Sequence, residues 1–275
     1  MNFFEKIIYG LSGTMPEPTV YGWFHFMFVA IVIIATVILC VFCRNCSVKT
    51  FKIITLIVWI IMLVFEIYKQ LLYSFNCENG KVKWEYEWKQ FPFQLCSTPL
   101  YVLPFIIFSR RDGHVRDACV AFITTFSLFG GLVTFIYPST VFIDTIGINI
   151  QTMTHHGLQI VLGIFFVVYY RKRLNIKFFL KGTIVFGITF VIALVLNFII
   201  HDVTPDSFSM FYISPYFPCD IPLLSIIYDK TPYVVFLFIY IVGFMLAGLV
   251  LYYIQYGIIK GTEKIKEKRE KTQKI

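Results

Sequence analysis

Charge is scarce in this sequence. Asp, Glu, Lys and Arg make up 15% of its 275 residues, against about 25% in a soluble domain, which leaves too little to clothe a water-facing surface. Several signatures are missing as well. There is no phosphate-binding glycine loop, no dinucleotide fingerprint, no G-x-S-x-G and no H-E-x-x-H; a nucleotide-driven enzyme or pump is therefore disfavoured, and no cofactor is expected. No strict apolar–polar alternation marks barrel strands, and no internal repeat suggests an inverted-repeat transporter. No short apolar run followed by a small-residue cleavage site opens the chain, so no cleavable signal peptide is expected.

What the sequence does have is apolar residues in long blocks. It is 58% hydrophobic with 31 phenylalanines and a mean hydropathy of +0.75. Crossing a bilayer takes roughly 20 consecutive apolar residues, and backbone polar groups in hydrocarbon must be satisfied within a helix or a closed barrel. The blocks predict an all-α membrane protein, a bundle of seven transmembrane helices over residues 22–43, 51–75, 91–108, 117–136, 153–170, 178–200 and 232–259. The expected organisation is an outer N-terminal segment, 1–21, a membrane domain, 22–259, and a basic cytoplasmic tail, 260–275.

Lys and Arg set the orientation. With the N-terminus outside, cytoplasmic segments hold eighteen of them and outer segments five, the bias expected of a cell-membrane protein. The formal net charge of +8 therefore reads as a topology signal. No basic face with interleaved aromatics exists in a polar domain, and no nucleic-acid partner is expected. The mixed-charge tail predicts a solvated anchor or a contact with anionic headgroups. The long outer loop 201–231, with Pro205, Pro215, Pro218 and Pro222, reads equally as a lid or as a surface connector.

Polar residues inside membrane helices are costly and tend to mark function. Here they gather toward the outer leaflet: His25, Glu66, Gln94, Cys96, Ser97, Thr98, His155, His156, Gln159 and Asn197. Cys96 and His156 stand out, because counting about 1.5 Å per residue from each helix start puts them within a turn in depth. A thiol at a helix N-terminus meets unpaired N–H groups, and a histidine there is held neutral, as a base should be. Pro99 removes a donor and predicts irregular helix beside Cys96. Cysteine activated by histidine is the logic of covalent acyl transfer. The bland readings are a packed cysteine, an interfacial His155, and a Glu66 paired internally with Lys69.

The remaining cysteines say less. Cys40, Cys43 and Cys46 recur every third residue, but nothing completes four ligands on that side, so no metal is expected. Cys77 and Cys219 both fall in outer loops, where a disulfide is chemically allowed. Cys119 reads as packing.

Taken in order, Trp23-Phe24-His25-Phe26, Phe93-Gln94-Leu95-Cys96-Ser97, His156-Gly157-Leu158 and Asn197 resemble the YwaF family of bacterial membrane proteins, which is similar to eukaryotic transmembrane protein 164. The resemblance covers residues 21–256. It implies acyl transfer between phospholipids, toward polyunsaturated ether lipids in the eukaryotic relative, with a membrane cysteine as acyl carrier. By motif that cysteine is Cys96 and the partnering histidine His156; His155 stands where a YwaF-like serine is expected.

Two functions follow as expectations. One is an intramembrane acyltransferase or acyl hydrolase with Cys96 as nucleophile, His156 as base, and Gln94 or Asn197 donating to the oxyanion, its partner a membrane phospholipid or other acyl lipid. The other is a non-catalytic transporter or small-molecule receptor using the same outer cavity, with Glu66 as charge partner; Gln94, Asn197, Glu66, His155 and His25 are the residues expected to bind substrate or an oxyanion. A purely structural membrane protein is the third, bland possibility.

Overall fold

The computed structural model describes residues 2–78, 81–110, 113–204 and 208–272. A short helix α1 (Phe3–Leu11) starts on a capping box, in which Asn2 and Glu5 satisfy each other's backbone amides. The apolar blocks then fold as α2 (Trp23–Phe42), α3 (Val48–Leu72) and α4 (Pro99–Phe108). A rod follows in which α5 (His114–Phe122) runs through a π-helical turn, Ile123–Ser127, into α6 (Leu128–Ile136). After it come α7 (Ile146–Tyr169), α8 (Ile176–Ile200), α9 (Leu224–Lys230) and α10 (Tyr233–Thr272). Among the described residues, six helices are long and apolar enough to cross a membrane, and Leu95–Phe108 is a shorter apolar helix. The protein is a multi-pass, all-α membrane protein.

α7 is the axis of the bundle. It packs against α2, α3 and α6, and 72% of its most apolar window is buried, against 17% for α10. The peripheral helices turn Ile33, Ile34 and Val37 of α2 and Ile184, Ile188 and Val191 of α8 outward. Such apolar faces suit lipid, which solvates them as well as a core would. Where lipid offers no hydrophobic drive, close backbone approach matters. Gly131 of α6 meets α7 so closely that a Cβ there would lie 2.8 Å from the His156 carbonyl oxygen, and Gly182 of α8 comes as close to the Ala121 backbone of α5.

The π-turn has a visible partner. It disturbs the regular ladder, and the carbonyl of Thr124 accepts a 2.7 Å bond from Gln255 of α10. Ser127, at its end, donates to Gln159 Oε1 at 3.4 Å, tying the rod to α7.

Several element boundaries depart from expectation. α7 begins at Ile146 rather than near residue 153, because Asn149, Gln151 and Thr152 are polar but buried in the bundle. Asn149 closes the preceding loop by bonding both backbone groups of Ile143, at 2.7 and 3.0 Å. The expected helix over 91–108 is regular only from Pro99. Ahead of it the chain makes two 3-10 turns, Trp88–Gln90 and Leu95–Ser97. α10 carries on through the tail to Thr272. A hairpin of β1 (Phe75–Glu78) and β2 (Lys81–Trp84), in register Phe75↔Trp84, was not expected. The side chain of Cys77 lies outside the described residues, and with it the expected pairing with Cys219.

Candidate functional site

Cys96 occupies the middle of the 3-10 turn Leu95–Ser97. The irregularity follows from Pro99, the first residue of α4: lacking an N–H, it cannot extend the ladder backwards. The amides of Ser97 and Thr98 fold onto the carbonyl of Gln94 instead, at 2.8 and 3.2 Å.

A cavity of about 330 Å³ opens beside this turn. Cys96, Ser97, His155, His156, Glu66 and Gln94 all line it, so six of the polar residues expected to gather converge. The wall also includes Lys89, Lys69 of α3, Gln151 and Thr152 of α7, and Ser209, Tyr212 and Asp220 of the long loop. That part of the long loop borders the cavity.

The two histidines have opposite tautomers if neutral. His156 donates from Nδ1 to the Thr152 carbonyl one turn back, at 2.9 Å, which leaves Nε2 with its lone pair. His155 is 3% exposed and donates from Nε2 to the Cys96 carbonyl at 2.9 Å. Gln159 donates to the same oxygen at 2.8 Å. His155 thus holds the cysteine's backbone through Nε2, its buried Nδ1 being left without a partner, and His156, bonded through Nδ1, has no partner at Nε2. The expected reason for a neutral His156 needs correcting: it lies ten residues inside α7, beyond the reach of the helix-end dipole.

Glu66 forms the internal pair with Lys69 at 2.8 Å and accepts from Gln70 at 2.7 Å, both on Oε1. Its Oε2 is buried and unpartnered. A bare carboxylate oxygen in a cavity wall is costly and suits a ligand donor.

Asn197 and Gln94 are occupied elsewhere. Asn197 is fully buried and is not part of the cavity wall. Its Nδ2 donates to the Met210 carbonyl at 3.0 Å, and its Oδ1 accepts from the Met210 amide at 2.7 Å. Gln94 does the same to the adjacent backbone, donating to Ser209 at 2.8 Å and accepting from Phe211 at 2.8 Å. Two amides therefore clamp residues 209–211, whose continuation needs left-handed backbone at Phe211 and Tyr212 (φ 57° at each). Each clamp spends one of its two amide N–H groups on this backbone, and of the two only Gln94 borders the cavity. His25 is also apart from the cavity. Its Nε2 donates to the Phe135 carbonyl at 2.9 Å and its Nδ1 accepts from the Tyr21 amide at 3.3 Å, a structural role between α2 and α6.

The residue that sequence reasoning missed is Tyr212. Burial first, then nearby Cys96, Asp220 and Cys219, push its phenol up to about 12, so it stays an O–H donor at the cavity through the physiological range. Its position in a proline-rich loop carries no periodic signal. Among the described residues no group of three or more His, Cys, Asp and Glu is arranged to hold a metal ion.

The model of the TMEM164 family matches residues 20–256, most of the chain. No curated protein and no solved structure matches it.

Proposed function

The chain belongs to the TMEM164 family, and from that membership and the cavity we propose that it is a cysteine-dependent lipid acyltransferase or acyl hydrolase working inside the membrane. The observation that carries the reading is the shared wall: Cys96 and a histidine with a free Nε2 border one cavity, under a clamped lid.

Cys96 Sγ attacks the carbonyl carbon of an acyl ester while His156 Nε2 takes the thiol proton. The S–C bond forms, the ester C–O bond breaks, and His156 returns the proton to the leaving oxygen. A hydroxyl of a second lipid, or water, then gives its proton to His156 and attacks the thioester. The new C–O bond forms, the S–C bond breaks, and the thiolate recovers the proton. Tyr212 O–H is the donor offered to the carbonyl oxygen as charge builds on it. Gln94 and Asn197 act one step away, by holding the lid that carries Tyr212.

The membrane geometry of this reading is seven crossings with the N-terminus outside and the C-terminus cytoplasmic, in the cell membrane. α4 supplies the seventh. Lys52 near the start of α3 donates to the Ser109 carbonyl just past α4, at 3.2 Å, and Trp59 donates to Leu100 at 2.8 Å, so α4 runs antiparallel to α3. The cavity then lies toward the outer leaflet.

A second reading is a receptor or transporter that binds a cationic or hydrogen-bond-donating ligand. It is favoured by one observation, the unpartnered Glu66 Oε2 in the wall. Phospholipid turnover by purified protein separates the two. Turnover lost in Cys96→Ala supports the enzyme; saturable ligand binding that needs Glu66, with no turnover in wild type, supports the receptor.

A further inference from the structure

A second cavity, of about 290 Å³, lies at the far end of the bundle. Cys46, which borders it, lies just before α3 begins at Val48, and Glu66, which borders the first, lies eighteen residues along that helix, about 27 Å from its start. The second cavity is lined by Arg44, Arg116, Arg171, Lys172 and Arg173, and among the described residues no Asp or Glu borders it. Its volume is at the lower end of the roughly 300–1,000 Å³ of small-molecule sites, a headgroup rather than a whole lipid.

Arg116 is the unusual member. It is 1% exposed, and none of Nε, Nη1 and Nη2 has a hydrogen-bond partner. A guanidinium cannot shed its proton, so burial leaves a full charge and five N–H donors to be compensated. Its one evident compensation is the ring of Phe51, 5.1 Å from Cζ, which offsets a small part of the cost. The neighbouring carboxylate is committed: Asp117 pairs with Lys181 at 2.8 Å and with Arg173 at 3.2 Å. Arg171 is engaged with the Arg44 and Val168 carbonyls and with Asn45, which shapes the mouth without neutralising anything.

From this we propose that the second cavity is a binding site for a phosphate group, with Arg116 as its buried floor and Lys172 at its exposed mouth. Planar guanidinium forks suit tetrahedral oxyanions, taking two oxygens at once. A phosphate enters either as free anion or as the headgroup of an anionic lipid, to which basic residues at a membrane surface are drawn. The site is independent of the acyl chemistry proposed for Cys96.

The test uses purified full-length protein in maltoside micelles, which contain no phosphate. Melting temperature is followed at constant ionic strength with added inorganic phosphate and, separately, with phosphatidylglycerol mixed into the micelles. Wild type is expected to gain several degrees, saturably, with at least one of the two. A gain with phosphatidylglycerol alone identifies the headgroup, and a gain with inorganic phosphate as well shows that the anion suffices. Half-saturation should move at least about ten-fold higher in Arg116→Gln and in Lys172→Gln. The second variant alters an exposed side chain and keeps the experiment decisive should the first fail to fold. Absence of a saturable gain with either probe, or equal half-saturation in wild type and Lys172→Gln, would overturn the proposal, leaving Arg116 hydrated only.

Discussion

His155 is bonded to the backbone of Cys96: its Nε2 donates to the Cys96 carbonyl oxygen at 2.9 Å. The adjacent His156 points its Nδ1–H back at Thr152 and keeps Nε2 available. In the proposed reaction these adjacent residues of α7 split two tasks, His155 positioning the cysteine's turn and His156 accepting its proton.

The division is measurable. His156→Gln should lower lipid turnover by about 10²- to 10⁴-fold, the usual worth of a general base. His155→Gln keeps an N–H able to reach the Cys96 carbonyl and should lose about ten-fold or less. Steady-state turnover of the two purified variants checks this; the reverse order would make His155 the base.

Tyr212→Phe removes one O–H and almost no volume. Loss of a donor aimed at developing oxyanion charge costs about 10²-fold in kcat, with KM little changed. An unchanged kcat would remove Tyr212 from the reaction.

The lid predictions rest on the two amide clamps. Asn197→Ala strands the Met210 N–H and C=O, and Gln94→Ala strands the Phe211 N–H and the Ser209 C=O. Each buried orphan costs about 1–3 kcal/mol. Hydrogen exchange over residues 208–213 should quicken in both variants while α5 and α8 keep their protection. Unaltered exchange would mean that the loop is held by its own packing.

Much of this architecture was legible as uninterrupted apolar sequence, since length alone separates a membrane helix from a buried strand. The misplaced start of α7 shows where hydropathy misleads. Gln151 and Thr152 look like loop because they are polar, yet they face an internal cavity. Convergence of Cys96 with His156 followed from counting depth along antiparallel helices. The employment of Asn197 did not, because its partner is backbone in a loop thirteen residues away, and loop paths leave no periodic trace. His25 was flagged by polarity, a signal that cannot tell a cavity from a pair of backbone partners.

Gly131 tests how tightly α6 fixes the site. A methyl there would sit 2.8 Å from the His156 carbonyl, and backbone has little room to yield. Gly131→Ala should cost about 1–3 kcal/mol, read as a lower melting temperature, and should slow turnover by displacing His156. Wild-type stability in that variant would mean that the helices separate freely.

The most direct measurement is of the acyl-enzyme itself. Purified protein is mixed with an acyl phospholipid, quenched in acid, digested and weighed. The account predicts an added acyl mass on the peptide containing Cys96, released by neutral hydroxylamine, absent in Cys96→Ala and slow to form in His156→Gln. Full lipid turnover by Cys96→Ala, with no adduct on the wild-type peptide, would contradict it.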